Sequence, residues 1–597
     1  MNHPGFLLAL AGTFFLAAGN AAQAAGDPSS TALHALFHSE WERSLRESPE
    51  TATYFGDNRY ADRWTDLSPE AIAARRAATR EALARLHAID PARLDNADRL
   101  DYRVFEWQLE RSIERERFHE EFQPIDQRRG VQIADGLAEI ARFRTPADYR
   151  AWIARLRALP RHIDQTIALL REGIRTGRVP PRVLVERVVG QVDRQVVEDP
   201  LQSPFYRAFA AIPPSFPAAD REALPSQARD AVRESVVPAF RRLGAFLRAE
   251  YLPKSRSSIA ASDLPDGRAY YDFLVRDFTT TTMNADEIHE LGLREVARLH
   301  AALEKARADT GFQGTLAEFF ADLRSNPRFY CKTPEALLER YRATAKRIDP
   351  ELVKVFRTIP RQPYGVRPIP ENAAPDTTAA YYQPGAVDGS RAGYYYVNLY
   401  RPEMRPTWEM MPLSLHEAVP GHHFQFARSL ELPAAPEFRR TAYFIAYSEG
   451  WGLYAEQLGY DMGLYDDPYD RVGQLAYEMW RAIRLVVDTG MHTRGWSREK
   501  AIAYFRDNAP KTEQDIVNEI DRYIGDPGQA LGYKIGQLRI SALRERASRE
   551  LGDRFDLRDF NDAVLATGSV PLAVLEEHIG AWIEAKKLER QNSGQGK

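Results

Sequence analysis

The chain of 597 residues carries 80 Lys and Arg against 84 Asp and Glu, a formal net charge of -4, with 44% hydrophobic residues, 13 His and one Cys. Near-balanced charge excludes the polybasic footprint of a nucleic-acid binder, and 27% charged residues at this hydrophobic content exclude the composition of a disordered chain. The lone Cys331 excludes an intramolecular disulfide, a zinc ribbon and an iron-sulfur cluster, so any metal has to be held by His and carboxylates.

The first residues read as a leader. Phe6 to Ala11 and Phe14 to Ala18 form a short apolar stretch ending in Ala22-Gln23-Ala24, the small-x-small pattern that a signal peptidase reads. Residues 1–24 are therefore expected to be removed, although only His3 stands where a Lys or Arg is usual. The stretch is short and interrupted by Gly, and no later segment is long and apolar enough to span a bilayer. No Cys follows Ala24, so a lipobox anchor is not expected. The mature chain is expected to be periplasmic or secreted and soluble, with no stable membrane insertion.

Residues 25–264 read as an N-terminal helical region. Ala71 to His87, Ala97 to Phe118 and Tyr149 to Arg171 repeat apolar residues three and four apart with Arg and Glu between them, the pattern of helices packed on one face. Pro180-Pro181, Pro213-Pro214 and Pro217 break the array, and no fixed repeat period supports a solenoid. A boundary is expected near Leu264, with residues 265–597 forming a catalytic region joined to the N-terminal helices around one cleft. Asn284 reads as a helix cap. Helices continue to about Ile348, and Pro360 to Gly389 lacks helical period. Ala379 to Gln383 and Gly393 to Leu399 are aromatic and β-branched runs that predict short strands. Helical period returns at Trp408 and holds to the C-terminus, with breaks at Pro433 to Pro436, Asp466 to Pro468 and Gly525 to Gly528. The fold class is mostly α, multi-helical, with a small β-sheet.

Chemistry concentrates in Leu413-Ser414-Leu415-His416-Glu417-Ala418-Val419-Pro420-Gly421-His422-His423-Phe424-Gln425. It opens as His-Glu-x-x, the start of the zinc hydrolase motif in which two His four apart hold Zn2+ and the Glu activates water. Pro420, however, occupies the fourth position, and the next His residues stand six and seven on. On a regular helix i+6 lies about 240° round and i+7 about 10.5 Å along the axis, so neither could share a metal with His416. Pro420 and Gly421 together can loop out and return the following His to the metal side. His422 is the second ligand expected, with His423 the alternative. A third ligand is expected from Tyr447-Ser448-Glu449-Gly450-Trp451-Gly452, where Glu449 sits near a helix start beside two glycines that permit close packing; Glu456 lies two turns further. His289-Glu290 also opens as His-Glu, but Leu293 fills its fourth position, so His289 and His300 read as ordinary helix residues.

The segment resembles the His-Glu-Ala-x-Pro-Gly-His-His signature of the large bacterial group known as domain of unknown function family 885. Tyr447-Ser448-Glu449-Gly450-Trp451 resembles the Asn-Glu-Gly-Phe third-ligand segment of gluzincin-type zinc aminopeptidases. Similarity extends to Ile288 to Gly292, Val487 to His492 with Gly495-Trp496, and Pro527 to Lys534. The resemblance implies a mostly helical fold with a gluzincin-like zinc metallopeptidase core. It also implies that the strand Gly393 to Leu399 pairs with an extended substrate; the plain alternative is a buried hairpin.

The function expected is hydrolysis of short peptides. One Zn2+ per chain is expected on His416, His422 and Glu449, with Glu417 as general base. Tyr533, after the Pro527-Gly528 break, and His492, oriented by Asp488 four residues before it, are candidates to stabilise the oxyanion; a surface aromatic and a helix-end cap are their plain alternatives. Arg481, Arg522 and Arg539 are candidates to grip a substrate carboxylate, against the simpler reading as solvated surface. Hydrolysis of a non-peptide amide or ester, or a metal-bearing peptide-binding protein without turnover, are the competing functions.

Overall fold

The helical periods of the N-terminal third appear as helices at Pro69–His87, Asn96–Arg115 and Pro146–Thr176. Each starts where a side chain satisfies an orphan amide: Ser68 accepts from Ala71, Asp95 from Asp98, and Thr145 forms a reciprocal capping box with Asp148. The run expected to reach Phe118 tightens to a single 3-10 turn at Glu116–Phe118 and stops at His119, whose φ of 53° is left-handed. Asn284 caps the helix Ala285–Asp309 and exchanges hydrogen bonds with Glu287. His289, on that helix, is buried and bonds Thr489 Oγ1 at 2.8 Å, and His300 bonds Asn508 Oδ1 at 2.7 Å.

This computed structural model describes residues 27–593 apart from 372–373, 387 and 433–434, and the expected leader, residues 1–24, lies outside them. Among the described residues no helix is long and apolar enough to cross a membrane. The protein is mostly helical, with one three-stranded sheet: β1 (Tyr364–Pro368), β2 (Ala380–Gln383) and β3 (Gly393–Val397), in the order β1-β3-β2. β1 is parallel to β3 and β2 antiparallel to it. β1 has no counterpart in the sequence reading, because Tyr364-Gly365-Val366-Arg367-Pro368 lies in a Pro-rich stretch without alternation and becomes a strand only through its partner.

The sheet order corrects the expectation for Gly393 to Leu399. β3 is the central strand, its backbone groups already paired on both sides, so it has no free edge for an extended substrate. The edge that faces the cleft described below is β2, with Ala380, Tyr381 and Tyr382 among the lining residues.

The hydrophobic core is continuous across residue 264: one cluster joins Leu33, Phe37 and Leu109 to Trp451, Leu531 and Ile583, while a separate cluster packs residues from Trp64 to Tyr251 among themselves. At roughly 1.5–3 kcal/mol per fully buried large apolar side chain, these clusters outweigh the caps, worth about 1 kcal/mol each. The helix Ala285–Asp309 packs along Pro468–Thr493, and Ile445–Met462 along Leu531–Leu551. Ile445–Met462 is buried continuously from Ala446 to Glu456, on every side. A helix enclosed all round should be apolar, yet this one carries Glu449 and Glu456. Two carboxylates in such a place cost several kcal/mol each unless something positive meets them.

Candidate metal centre

What meets them is the His416 to His423 segment. The helix Met410–Glu417 stops at Glu417, the chain passes through Ala418 to Gly421 with a cis Val419–Pro420 peptide bond, and a second helix, His422–Leu430, begins at once. The turn is tight enough that a Cβ on Gly421 would overlap the carbonyl oxygens of Leu415 and His416. Trp451 Nε1 donates to the Pro420 carbonyl at 2.8 Å and fastens the turn to the buried helix. On that helix a Cβ at Gly452 would stand 2.7 Å from His416 Cε1, and one at Gly450 2.5 Å from Gly536, so this close packing is available only to glycine.

The outcome is a convergence of three side chains. His416 Nε2 and His422 Nε2 lie 3.4 and 3.3 Å from the same oxygen, Glu449 Oε2, and the prospective ligand atoms of His416, His422 and Glu449 all fall within 4.8 Å of one another. Glu449 Oε1 accepts from the Tyr443 hydroxyl at 2.7 Å, which leaves Oε2 to the imidazoles. Behind them, His416 Nδ1 bonds Glu456 Oε1 at 2.8 Å. A carboxylate there requires Nδ1–H, so neutral His416 presents a bare Nε2 lone pair to Glu449. Two acceptors facing each other at this range call for a proton or a cation between them. Burial opposes a charged His416, yet its bonds to Glu449 and Glu456 prevail and raise its pKa to about 9. Burial likewise works to raise Glu449, but the charge of His422 and bonds from both imidazoles hold it well below the usual carboxylate range. The donor set of two imidazoles and one carboxylate suits Zn2+. A second group with metal-ligand spacing, His87, Glu106 and Glu110, lies at the surface, where His87 and Glu106 form an ordinary ion pair at 3.0 Å.

His423 is occupied elsewhere. Its Nε2 donates to the Gln362 carbonyl at 3.0 Å and its Nδ1 accepts from Tyr382 at 3.0 Å, so the imidazole ties its helix to the sheet region; burial pushes its pKa down to about 4.

The triad opens onto a cavity of about 490 Å³, lined also by Glu417, Phe426, Tyr443 and Tyr533. Glu417 is largely buried, and among the described residues no hydrogen bond ties its carboxylate down. Tyr533 accepts from Arg522 Nη2 at 3.0 Å, which leaves its own hydroxyl hydrogen free to donate. Arg484 lies over its ring, 4.2 Å from the centroid. Arg481 and Arg522 are buried in the cavity wall, whereas Arg539 is half exposed opposite Glu576. Neither the role of Tyr443, which lies between two helices beside Phe444, nor that of Glu456, seven residues from Glu449 on the same helix face, was legible in the sequence.

The cavity does not include His492. It is wholly buried, its Nδ1 accepts from the Ala261 amide at 3.0 Å and its Nε2 donates to the Tyr523 carbonyl at 3.0 Å. Asp488 does not orient it; that carboxylate instead accepts from the Tyr271 hydroxyl and the Gly528 amide. The expectation of an oxyanion role for His492 is therefore corrected: both ring nitrogens are spent on backbone, so its work is structural. Burial pushes its pKa down to about 4. Because the unfolded chain takes up that proton near pH 6.5, stability present at neutral pH is lost as pH falls from about 6.5 towards 4, amounting to about 2 kcal/mol at pH 5. Denaturant unfolding at pH 7 and pH 5 tests this: His492→Gln should be less stable at pH 7 and show a smaller loss on acidification, and an unchanged loss would refute it.

A crystal structure from Colwellia psychrerythraea, described as a "putative lipoprotein", superposes with a TM-score of 0.89 at 29% identity, covering 93% of this chain and 99% of that one. A Shewanella oneidensis structure, described as a "putative lipoprotein of unknown function", shares the fold with a TM-score of 0.69 at 18% identity, covering 92% and 99%. Comparison with curated proteins gave no match. Residues 49–579 match the family described as bacterial protein of unknown function (DUF885), and the chain belongs to that family.

Proposed function

We propose that the protein is an exported zinc-dependent metallopeptidase with a gluzincin-like site, acting on short peptides. The observation that carries this reading is the convergence of His416, His422 and Glu449 beside an untethered Glu417 in a sizeable cavity. When bound, Zn2+ supplies a Lewis-acidic centre that polarises a carbonyl and acidifies water. The remaining work falls to the chain. Glu417 takes the proton from the attacking water and passes it to the leaving nitrogen. Glu456 fixes the tautomer of His416, and Tyr443 fixes the orientation of Glu449. Tyr533, its oxygen held by Arg522, donates its hydroxyl hydrogen to the oxyanion as charge develops there. Export is supported by the leader-like composition of residues 6–24 and by the descriptions of the two similar structures.

Metal analysis combined with a peptide-library digest tests the proposal. Protein expressed with zinc should carry one Zn2+ per chain and hydrolyse members of the library; a chelator should abolish hydrolysis and added zinc restore it. Full zinc occupancy with no cleavage would sink the peptidase reading, and no bound metal would sink the site.

A further inference from the structure

The cavity wall carries more positive charge than the chain neutralises. Arg128, Arg440, Arg481, Arg484 and Arg522 line it against Glu417, Glu449 and Glu519. Glu519 is shared, accepting from Arg484 at 3.0 Å and lying 3.4 Å from Arg522. Arg481 reaches one carboxylate, Glu456 at 3.5 Å, on the oxygen that already bonds His416, and donates to the Tyr477 carbonyl at 3.2 Å. Arg484 Nη1 and Arg522 Nε are buried without partners.

Two of these arginines, Arg128 and Arg440, have no hydrogen bond or ion pair from the guanidinium among the described residues, and Arg128 is the one that lies beside Arg522. Arg128 lies in a tight turn in which Asp126 accepts from the amides of Arg128 and Arg129, at 2.7 and 3.0 Å, and from Arg129 Nε at 2.6 Å. Gln132 braces the same turn by donating to the Asp126 and Arg129 carbonyls. That carboxylate is thus consumed by Arg129, and among the described residues the Arg128 guanidinium has no hydrogen bond or ion pair. Its side chain is exposed, and the strongest charge acting on it is Arg522, which lowers its pKa. Arg128 and Arg522 also line together an adjoining cavity of about 870 Å³, so they stand where the two spaces meet. Two guanidiniums near one another at the cavity wall, Arg522 buried and Arg128 open to solvent without an ion pair, form a site that an anion entering the cavity would meet.

We infer that Arg128 and Arg522 form a subsite for the C-terminal carboxylate of the peptide, so that the enzyme acts on short peptides with a free C-terminus. The inference rests on the peptidase reading for its choice of anion: the terminal carboxylate is the one anionic group that every such peptide carries, and a guanidinium fork matches it in shape. A C-terminal amide removes the charge and leaves the rest of the ligand intact.

The test uses zinc-loaded Glu417→Gln protein and calorimetric titration with acetyl-Ala-Ala-Phe, acetyl-Ala-Phe-Ala and acetyl-Phe-Ala-Ala, each as free acid and as C-terminal amide. At least one acid should bind about 10- to 100-fold more tightly than its amide. Arg128→Ala should reduce acid binding to the amide level, and Arg128→Lys should retain part of the preference. Equal affinity for acids and amides, no binding of any acid, or an unchanged preference in Arg128→Ala overturns the subsite. Its failure is distinct from that of the peptidase reading. Wild-type protein that cleaves neither series while Glu417→Gln still prefers acids retains the subsite and loses the peptidase. Cleavage of both series with equal binding retains the peptidase and loses the subsite.

Discussion

Glu417→Gln should retain zinc at the stoichiometry of the wild type and lose peptide hydrolysis by about 10²- to 10⁴-fold, the range that a positioned general base supplies. The substitution keeps shape and volume and removes the proton acceptor. Glu417 ends its helix at the cavity wall and, among the described residues, has no hydrogen-bond partner that Gln would lose. Folding and metal content therefore serve as internal controls, and only turnover should change. Steady-state kinetics on zinc-loaded protein is the measurement, and turnover within about threefold of wild type would refute the general-base role.

The second expected result separates two adjacent histidines. His422→Ala should lose bound zinc altogether, because it removes one of three protein ligands and leaves Glu449 facing His416 alone. His423→Ala should keep zinc and instead lose stability, by about 1–3 kcal/mol, because the Gln362 carbonyl and the Tyr382 hydroxyl lose their partner. Glu456→Gln, one shell out, should lower metal affinity by about 10- to 100-fold while leaving the ligands in place. Metal analysis after dialysis, together with thermal unfolding, reads all three. Zinc retained by His422→Ala and lost by His423→Ala would reverse the assignment.

The helices were legible from their periods, and one of them from its cap, Asn284. The caps Ser68, Asp95 and Thr145 emerge with the structure, two to four residues before the apolar periods at Ala71, Ala97 and Tyr149. β1 was not legible, since a five-residue strand with little alternation depends on β3 for its existence. The same dependence hid which strand is central, and so which edge faces the cavity. At the site, the break at Pro420-Gly421 was readable because Pro and Gly act on their own backbone. The roles of Glu456 and Tyr443 were not, because hydrogen bonds to His416 and Glu449 are made between segments far apart or off any helix period.

The sequence by itself determined the helical class, the exclusion of any site built from several thiolates within the chain, and the cluster of His and Glu around Pro420-Gly421. These follow from composition, from spacing, and from residues whose effect is exerted within a turn of their own position. Only the tertiary structure decided that His422 joins Glu449 while His423 turns to the sheet, that His492 is spent on backbone carbonyl and amide, and that Arg128 faces a cavity unpaired. Each of these is a question of which nitrogen meets which oxygen across tens or hundreds of residues, and one-dimensional spacing holds no information about that until packing fixes the distances.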